Sequence, residues 1–433
     1  MIKNIILGVL FLSTLLFAGQ QNTFNVSVKD LSVAGRKVRI SPFKDIGVIS
    51  VSLCFKNAGE KLSPKNKECL VSLLSKAMGD ATASRTREQL QAYSLEHNLH
   101  ISFSTTDDDF IIVGKCPSQK LAELFHLLKD ILLHSKFNNR DIDRFKAEMI
   151  AGTMQSMQSP DMQLGELVKK TIWPQHPYGT SQETYLKSLK NISSTDLKSY
   201  MQTHFAQDNL IISACGDINE EELAVQILAF TTSLPETFNF HLPENVKIAG
   251  PYKKYTQAFP VPQTVIRIVH EGIDCHHPDF FALQIAVGCL SNPGIGVLWQ
   301  KIRTEKGLTY GIGAGFLMQD HANLFCVATS TQSETEERAL EVIKEALADV
   351  CKNGFSADLV ETVKKSFLGS YKRSFESTGH IAARLIKSQR EDRPVDFHNI
   401  VIEKISALTP EEVNDAFKKF LKLDQFIVFT VGK

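Results

Sequence analysis

The feature that most constrains this chain is an order of strands and helices that occurs twice. From about residue 24 to residue 231, strand-like runs such as 48–55 and 210–214 alternate with helix-like segments rich in Leu, Lys and Glu. After residue 262 the same order returns, and it closes with a strand-like run at 426–431 that mirrors 210–214. A single hydrophobic core stops growing at about 250–300 residues, so a chain of 433 residues has to divide. The repeat therefore predicts two diverged copies of one domain.

Each copy has strands followed by a layer of helices, which is the pattern of an α+β sandwich. We expect an α+β fold of two homologous α/β-sandwich halves, each with a mostly antiparallel sheet and a helix layer. The stretch between the halves is typical of a linker, because it carries prolines at positions 235, 243, 251, 260 and 262. The predicted boundaries are 24–231 for the N-terminal half, 232–262 for the linker and 263–433 for the C-terminal half.

The N-terminus has the parts of a secretory signal peptide. Lys3 precedes a largely apolar run of 13 residues, 5–17, and small and polar residues follow at 18–21. The run is shorter than the roughly 20 residues that a membrane-spanning helix needs. We expect a signal peptide at 1–19 and an exported protein, periplasmic or extracellular. Leu16 and Phe17 stand where signal peptidase prefers a small residue, so an uncleaved anchor remains the alternative.

Charge and cysteine content exclude two classes of protein. Lys plus Arg equals Asp plus Glu, 48 against 48, and no basic stripe is present, so we expect no nucleic-acid partner. The eight cysteines include no CxxC pair, which excludes a thiolate zinc clamp. Several lie in apolar strand-like runs and are expected in the core. One or two disulfides remain an alternative in an oxidising compartment.

Two other groups of polar residues can be mistaken for metal sites. The acidic run 107–109 lies between two strand-like segments, and we interpret it as a solvated turn. His97 and His100 stand three residues apart, with Glu96 before them, but nothing in the sequence points to a third ligand. We interpret these histidines as solvated side chains at a helix end.

Four segments together resemble the pitrilysin family of zinc metallopeptidases, which is insulinase-like and includes mitochondrial processing peptidase. They are 94–107, the tetrapeptide His-Pro-Tyr-Gly at 176–179, the strand end Cys-Gly-Asp at 215–217, and Leu-Trp-Gln-Lys-Ile-Arg-Thr-Glu-Lys-Gly-Leu-Thr-Tyr-Gly at 298–311. The last segment is the most specific. The resemblance covers almost the whole chain after the N-terminal apolar run.

The same resemblance shows what is missing. Active members carry HxxEH on a helix of the first half, where two His bind zinc and the Glu activates water, and a further Glu ligand lies downstream. The corresponding positions here are Ser72, Ser75 and Lys76, and the downstream position falls at or near Gly152. Ser and Gly supply no deprotonated donor, and the lysine ammonium would repel a divalent cation. We expect no metal in this chain and no zinc hydrolysis by it alone.

The resemblance implies a substrate-binding role for Arg303 and Tyr310. In the family, an Arg and a Tyr at these positions reach across to the zinc site and hold the substrate backbone. Arg offers a fixed fork of donors, and a Tyr hydroxyl can donate to an oxyanion. Gly307 is expected to end the helix before a strand that contains Tyr310. In the alternative interpretation, Arg303 caps helix carbonyls and Tyr310 packs at a sheet edge.

A chain with the binding pair and no metal site resembles the non-catalytic partner in two-subunit peptidases of this family. The first hypothesis is therefore a pseudo-peptidase subunit of an exported heterodimer, in which an HxxEH-bearing homologue supplies zinc and peptides are the substrates. The second hypothesis is a metal-free peptide-binding or scaffold protein of the cell envelope without an enzymatic partner.

Overall fold

A computed structural model describes residues 26–238, 242–246, 248 and 251–433. The first half contains a six-stranded sheet in the order β1-β2-β6-β3-β5-β4. Its strands are β1 Lys29–Val33, β2 Arg36–Pro42, β3 Val48–Phe55, β4 His100–Thr105, β5 Phe110–Pro117 and β6 Leu210–Gly216. Its helices are α1 Leu70–Ala77, α2 Arg87–Glu96, α3 Leu121–His134, α4 Asn139–Ser156, α5 Pro160–Ile172, α6 Gln182–Leu189, α7 Ser194–His204 and α8 Glu220–Thr231.

The second half contains a five-stranded sheet in the order β7-β11-β8-β10-β9. Its strands are β7 Lys253–Ala258, β8 Gln263–Glu271, β9 Ile312–Met318, β10 Asn323–Gln332 and β11 Ile427–Gly432. Its α-helices are α9 Phe280–Ser291, α10 Glu336–Asn353, α11 Ala357–Arg373, α12 Thr378–Arg390, α13 Phe397–Ala407 and α14 Pro410–Phe420. A π-helix spans Trp299–Glu305.

The two sheets have the same construction. In each, one pair of strands is parallel, β2 with β6 and β7 with β11, and the other pairs are antiparallel. The closing strands β6 and β11 occupy matching places, as their mirrored sequences predict. The α+β fold of two sandwich halves with mostly antiparallel sheets is confirmed. The linker predicted at 232–262 differs from the structure, because it includes β7, which pairs in parallel with β11 as part of the second sheet.

Local sequence accounts for many of these elements. Every residue of β3 after Val48 is buried, as expected for a strand covered on both faces. Three helices begin with a capping box, in which an N-cap hydroxyl and a side chain three residues later satisfy each other's backbone amides, at Thr86, Ser193 and Thr409. Gly307 has a φ of +63°, a conformation that favours glycine, and it follows the end of the π-helix.

One helix of each half packs on the sheet of the other half. Helix α12 of the second half packs on β2, β3 and β6, where Ser213 donates a hydrogen bond of 2.7 Å to the carbonyl of Ala382. Helix α5 of the first half packs on β8 and β11, where Leu164 and Val168 join a cluster with Phe429. This reciprocal exchange joins the halves into one packed unit.

The signal peptide expected at 1–19 lies outside the described residues. Within the described ranges, no helix is long and apolar enough to cross a membrane.

Candidate functional site

The positions that correspond to the zinc-binding helix lie on one face of α1. The opposite face of α1 packs in the core and consists of buried residues: Leu70, Val71, Leu73, Leu74 and Ala77. Ser72, Ser75 and Lys76 occupy the remaining face, and Lys76 is exposed. Helix α1 packs against α4, which carries Gly152 on its exposed side. The fold thus brings together the two helices that would hold a metal in a complete site.

A carboxyl group that sequence reasoning missed sits at this face. Glu60 begins a short 3₁₀ helix, Glu60–Leu62, and its Oε1 accepts a hydrogen bond from the hydroxyl of Ser72. Its other oxygen, Oε2, is buried without a partner among the described residues. Burial raises the pKa of Glu60 to about 8, against the opposing hydrogen bond from Ser72. At neutral pH the group is therefore largely a neutral acid.

The donor set at this face does not fit zinc. Ser72 is engaged by Glu60, the hydroxyl of Ser75 donates to the carbonyl of Ser72 at 2.9 Å, and Lys76 ends in an ammonium. Gly152 has no side chain. Zinc requires deprotonated ligands such as imidazole, thiolate or carboxylate, usually three from the protein in catalytic sites. Across the part of the chain that the structure describes, no group of three or more His, Cys, Asp or Glu could hold a metal ion.

Arg303 lies in the last turn of the π-helix and is exposed. Its guanidinium carbon stands 4.2 Å from the centre of the Trp299 ring, a cation–π contact. Leu298 and Ile302 are fully buried and fix the inner face of this segment. Segments of π-helix are rare and occur frequently at functional sites. Trp299 holds Arg303 through this contact, and the donor edge of the guanidinium has no hydrogen-bond acceptor among the described residues.

Tyr310 stands two residues before β9 and is 86% exposed. Within the described residues, neither its hydroxyl nor its ring contacts a partner. The Arg303 guanidinium stacks on Trp299 and makes no hydrogen bond with the described residues. The alternative interpretation, with Arg303 capping carbonyls and Tyr310 packed at a sheet edge, differs from this arrangement. Two large side chains thus stand at the surface, and within the described ranges neither has a hydrogen-bond partner for its side chain. Their role in binding stays a prediction.

The acidic run 107–109 is not the solvated turn that we expected. Asp108 and Asp109 are 8% and 6% exposed and lie at the junction of the two halves. The buried ammonium of Lys61 is 2.8 Å from Asp108, and the Tyr178 hydroxyl donates to the same carboxylate at 2.6 Å. Tyr178 belongs to the His-Pro-Tyr-Gly segment, which is thereby assigned a structural role at the junction.

Charged groups of the second half complete this junction. Asp320, in the turn between β9 and β10, accepts hydrogen bonds from Lys61 at 3.2 Å and from Arg390 of α12 at 2.6 Å. Arg390 also pairs with Asp109. Burial alone would raise the pKa of Asp320, but the hydrogen bonds from Arg390 and Lys61 hold it at about 2. Asp320 is therefore ionised at all ordinary pH values.

The cysteines take the core positions predicted for most of them. All eight are free, so the alternative of one or two disulfides is not what the structure shows. Cys54, Cys69, Cys116, Cys215 and Cys289 are buried. Burial raises the pKa of each of these five thiols, which keeps them protonated and unreactive.

Sequence comparisons show similarity to peptidases and to a homologue without peptidase activity. Residues 191–367 match the model of the M16 peptidase inactive domain. The chain is 20% identical to an uncharacterized zinc protease YmxG of Bacillus subtilis over 69% of this chain and 72% of that protein. It is 20% identical to the non-peptidase homolog YmxG of Helicobacter pylori over 86% of both chains. It is also 20% identical to the mitochondrial-processing peptidase subunit beta of Saccharomyces cerevisiae, over 54% of this chain and 52% of that one.

The fold has a close counterpart among solved structures. The crystal structure of a peptidase M16 inactive domain from Pseudomonas fluorescens superposes with a TM-score of 0.85. The match covers 94% of this chain and 98% of that one at 21% sequence identity. The similarity in fold thus extends over both halves.

Proposed function

The chain belongs to the pitrilysin-like M16 peptidase family as a non-catalytic homologue, and from that premise we propose that it is the substrate-binding subunit of an exported, two-subunit zinc peptidase. The observation that carries this proposal is the contrast between its two candidate sites. The face of α1 that corresponds to the zinc-binding helix bears Ser72, Ser75 and Lys76, and Gly152 lies on α4. By contrast, the side chains of Arg303 and Tyr310 are exposed and have no hydrogen-bond partner in the described part of the chain.

In this proposal the chain contributes binding and its partner contributes chemistry. A guanidinium that is stacked on Trp299 and has no internal acceptor can bind peptide carbonyls through its fork of donors. The exposed hydroxyl of Tyr310 can donate to an oxyanion that develops on a scissile carbonyl. Zinc and the attacking water would come from a homologous subunit that carries HxxEH.

The partner would pair with this chain as a heterodimer. The yeast relative is itself a subunit of a peptidase, which supports an assembly of this kind. A zinc centre of the partner, placed opposite the exposed Arg303 and Tyr310, would give this pair a role in catalysis.

Co-purification from the native host tests this proposal. A tagged chain should recover an HxxEH-bearing homologue, and the complex should contain zinc and cleave peptides, whereas the isolated chain should not. Mass spectrometry, elemental analysis and peptide cleavage are the measurements. A strictly monomeric chain with no such homologue in the eluate would favour the metal-free scaffold instead.

A further inference from the structure

One arginine in the second sheet has no charge partner among the residues that the structure describes. Arg267 lies in the middle of β8 and is half-buried, and its Nε is buried without a hydrogen-bond acceptor among the described residues. No carboxylate pairs with its guanidinium in the part of the chain that the structure describes. A guanidinium nitrogen that is buried without an acceptor is costly, because neither water nor a protein group replaces its lost hydrogen bond.

The register of the sheet identifies the neighbours of Arg267. It pairs with Phe429 of β11 on one side and with Ala328 of β10 on the other, and Ala328 pairs in turn with Gly313 of β9. Directly paired residues share one face of a sheet. Val265 and Val269, two residues away along β8, lie on this face as well. Arg267 is thus a positive charge whose immediate neighbours on this face, Phe429, Ala328, Val265 and Val269, are apolar.

This face of the sheet is covered on one side of Arg267 and uncovered on the other. On the side of β11 it is covered, because Phe429, Val265 and Val269 form a cluster with Leu164 and Val168 of α5. On the side of β9 the described residues leave it open, because a Cβ added at Gly311, Gly313 or Gly315 would meet none of their atoms within 4 Å. Arg267 therefore stands where the covered part of the sheet meets the uncovered part.

We propose that Arg267 binds a carboxylate on a peptide that lies in extended form over the open face of β9 and β10. The unpaired charge selects an anion, and the open face selects a linear ligand. Residues 311 to 315 offer roughly 13 Å of uncovered strand, at about 3.3 Å per residue. This length suits a peptide of several residues better than a compact ion.

This inference deepens the proposed function, on which it rests for the identity of the ligand as a substrate. Tyr310 precedes Gly311 directly, so a peptide over Gly313 would lie next to the proposed substrate-binding pair. The substrates would then be peptides with an acidic side chain, or with a free C-terminal carboxylate, near the residues that Tyr310 contacts.

Peptide binding to the isolated full-length chain tests the assignment. Three fluorescent peptides share one sequence: one has a central Glu and an amidated C-terminus, one has Gln in its place and the same amide, and one has Gln and a free C-terminal carboxylate. Fluorescence anisotropy at low salt should show at least one carboxylate peptide binding roughly 10-fold more tightly than the amidated Gln peptide, the scale of one charge-assisted hydrogen bond. Which of the two prevails identifies the source of the carboxylate.

Variants separate recognition from structure. Arg267→Met should abolish the preference for a carboxylate, and Arg267→Lys should retain part of it. The control is Arg338→Met, at an exposed position of α10, which should keep the full preference. Thermal unfolding of Arg267→Met should stay at or above the wild-type midpoint, because the variant removes an uncompensated charge. If Arg267 were only structural, Arg267→Met would instead lower the midpoint of thermal unfolding and weaken the binding of all three peptides equally.

Three results would overturn the inference. They are equal affinity for the three peptides, failure of the wild-type chain to bind any of them, and a carboxylate preference that survives Arg267→Met. None of these measurements involves a partner subunit, so the inference can fail while the proposed heterodimer is recovered from the host, and the reverse also holds.

Discussion

Lys61 and Asp320 come from different halves of the chain, and their charged groups lie 3.2 Å apart at the junction between the halves. The Lys61 side chain is fully buried there, with Asp108 on its other side at 2.8 Å. Removing one charge from a buried ammonium with two carboxylates is costly, because the remaining charges are already dehydrated and lose the partner that compensates them. The relative position of the halves therefore depends on this network.

Lys61→Met should lower the free energy of unfolding by about 2–4 kcal/mol, because it leaves Asp108 and Asp320 with less compensation. The control is Lys187→Met, which breaks an exposed pair with Glu183 inside α6 and should cost less than about 0.5 kcal/mol. Urea unfolding of both variants is the measurement. Similar losses in the two variants would contradict the assigned role of the junction.

The junction also shows where prediction from sequence stops. Asp107, Asp108 and Asp109 form a turn between two strands, and an acidic turn is most often solvated. Its partners are remote, since Arg390 lies 281 residues from Asp109. They meet only because α12 packs on the first sheet. Nothing in the periodicity of the sequence indicates that exchange of helices.

Local patterns were more informative. The repeated order of strands predicts two sheets of the same construction, and the helix end at Gly307 follows from sequence alone. Arg303 belongs to a contiguous segment, so its position at a helix end could be predicted. The strand predicted to contain Tyr310 instead begins two residues after it, at Ile312. Glu60 could not be predicted, because its role depends on a contact with Ser72 across a turn and on burial that only the fold provides.

Glu60 should make the stability of the protein depend on pH. Its pKa is raised to about 8 in the folded state from an ordinary value near 4.5, so the protonated form is the one that folding favours. The contribution of Glu60 to the free energy of unfolding is fully present below pH 4.5 and is lost as pH rises to about 8. Glu60→Gln, which cannot ionise, should therefore gain stability relative to wild type across this window, by on the order of 2–4 kcal/mol at pH 9.

Urea unfolding at pH 5, 7 and 9 checks this expectation. Glu183→Gln on the exposed face of α6 is the matched control and should show no comparable trend with pH. A constant difference between Glu60→Gln and wild type at all three values would mean that Glu60 is ionised in the folded protein as it is in water.

Zinc should not bind stoichiometrically to the wild-type chain, because Ser72, Ser75, Lys76 and Gly152 provide no ligand set. Ser72→His combined with Lys76→His supplies two ligands, and Gly152→Glu adds the third, for which there is room because a Cβ there meets nothing within 4 Å. Elemental analysis should find close to one zinc per chain only in the variant with all three changes.

The catalytic Glu alone would not change this outcome. The variant with Ser72→His, Ser75→Glu and Lys76→His should remain inactive in peptide cleavage while Gly152 is retained. Stoichiometric zinc in the wild-type chain, lost on replacing any of the four positions, would show that they had been wrongly identified with the ligand positions of the family.

The sharpest test of the proposed function concerns Arg303 and Tyr310 in the reconstituted pair of subunits. Tyr310→Phe removes one hydroxyl from a side chain that is 86% exposed, so stability should change by no more than about 0.5 kcal/mol. If that hydroxyl donates to the developing oxyanion, kcat should fall roughly 10²-fold or more while the complex and its zinc remain.

Arg303→Ala should leave assembly intact, because the guanidinium contacts only the Trp299 ring within the described residues. It should raise KM if the contact to substrate carbonyls is equal in the ground and transition states, and lower kcat if the contact strengthens in the transition state. Lys301→Ala, on the same π-helix and paired with Glu305, is the control and should cleave like wild type. The comparison is steady-state peptide cleavage by complexes of verified stoichiometry and zinc content. If both Arg303→Ala and Tyr310→Phe also cleave like wild type, neither residue takes part in substrate binding, and the chain has no share in the active site.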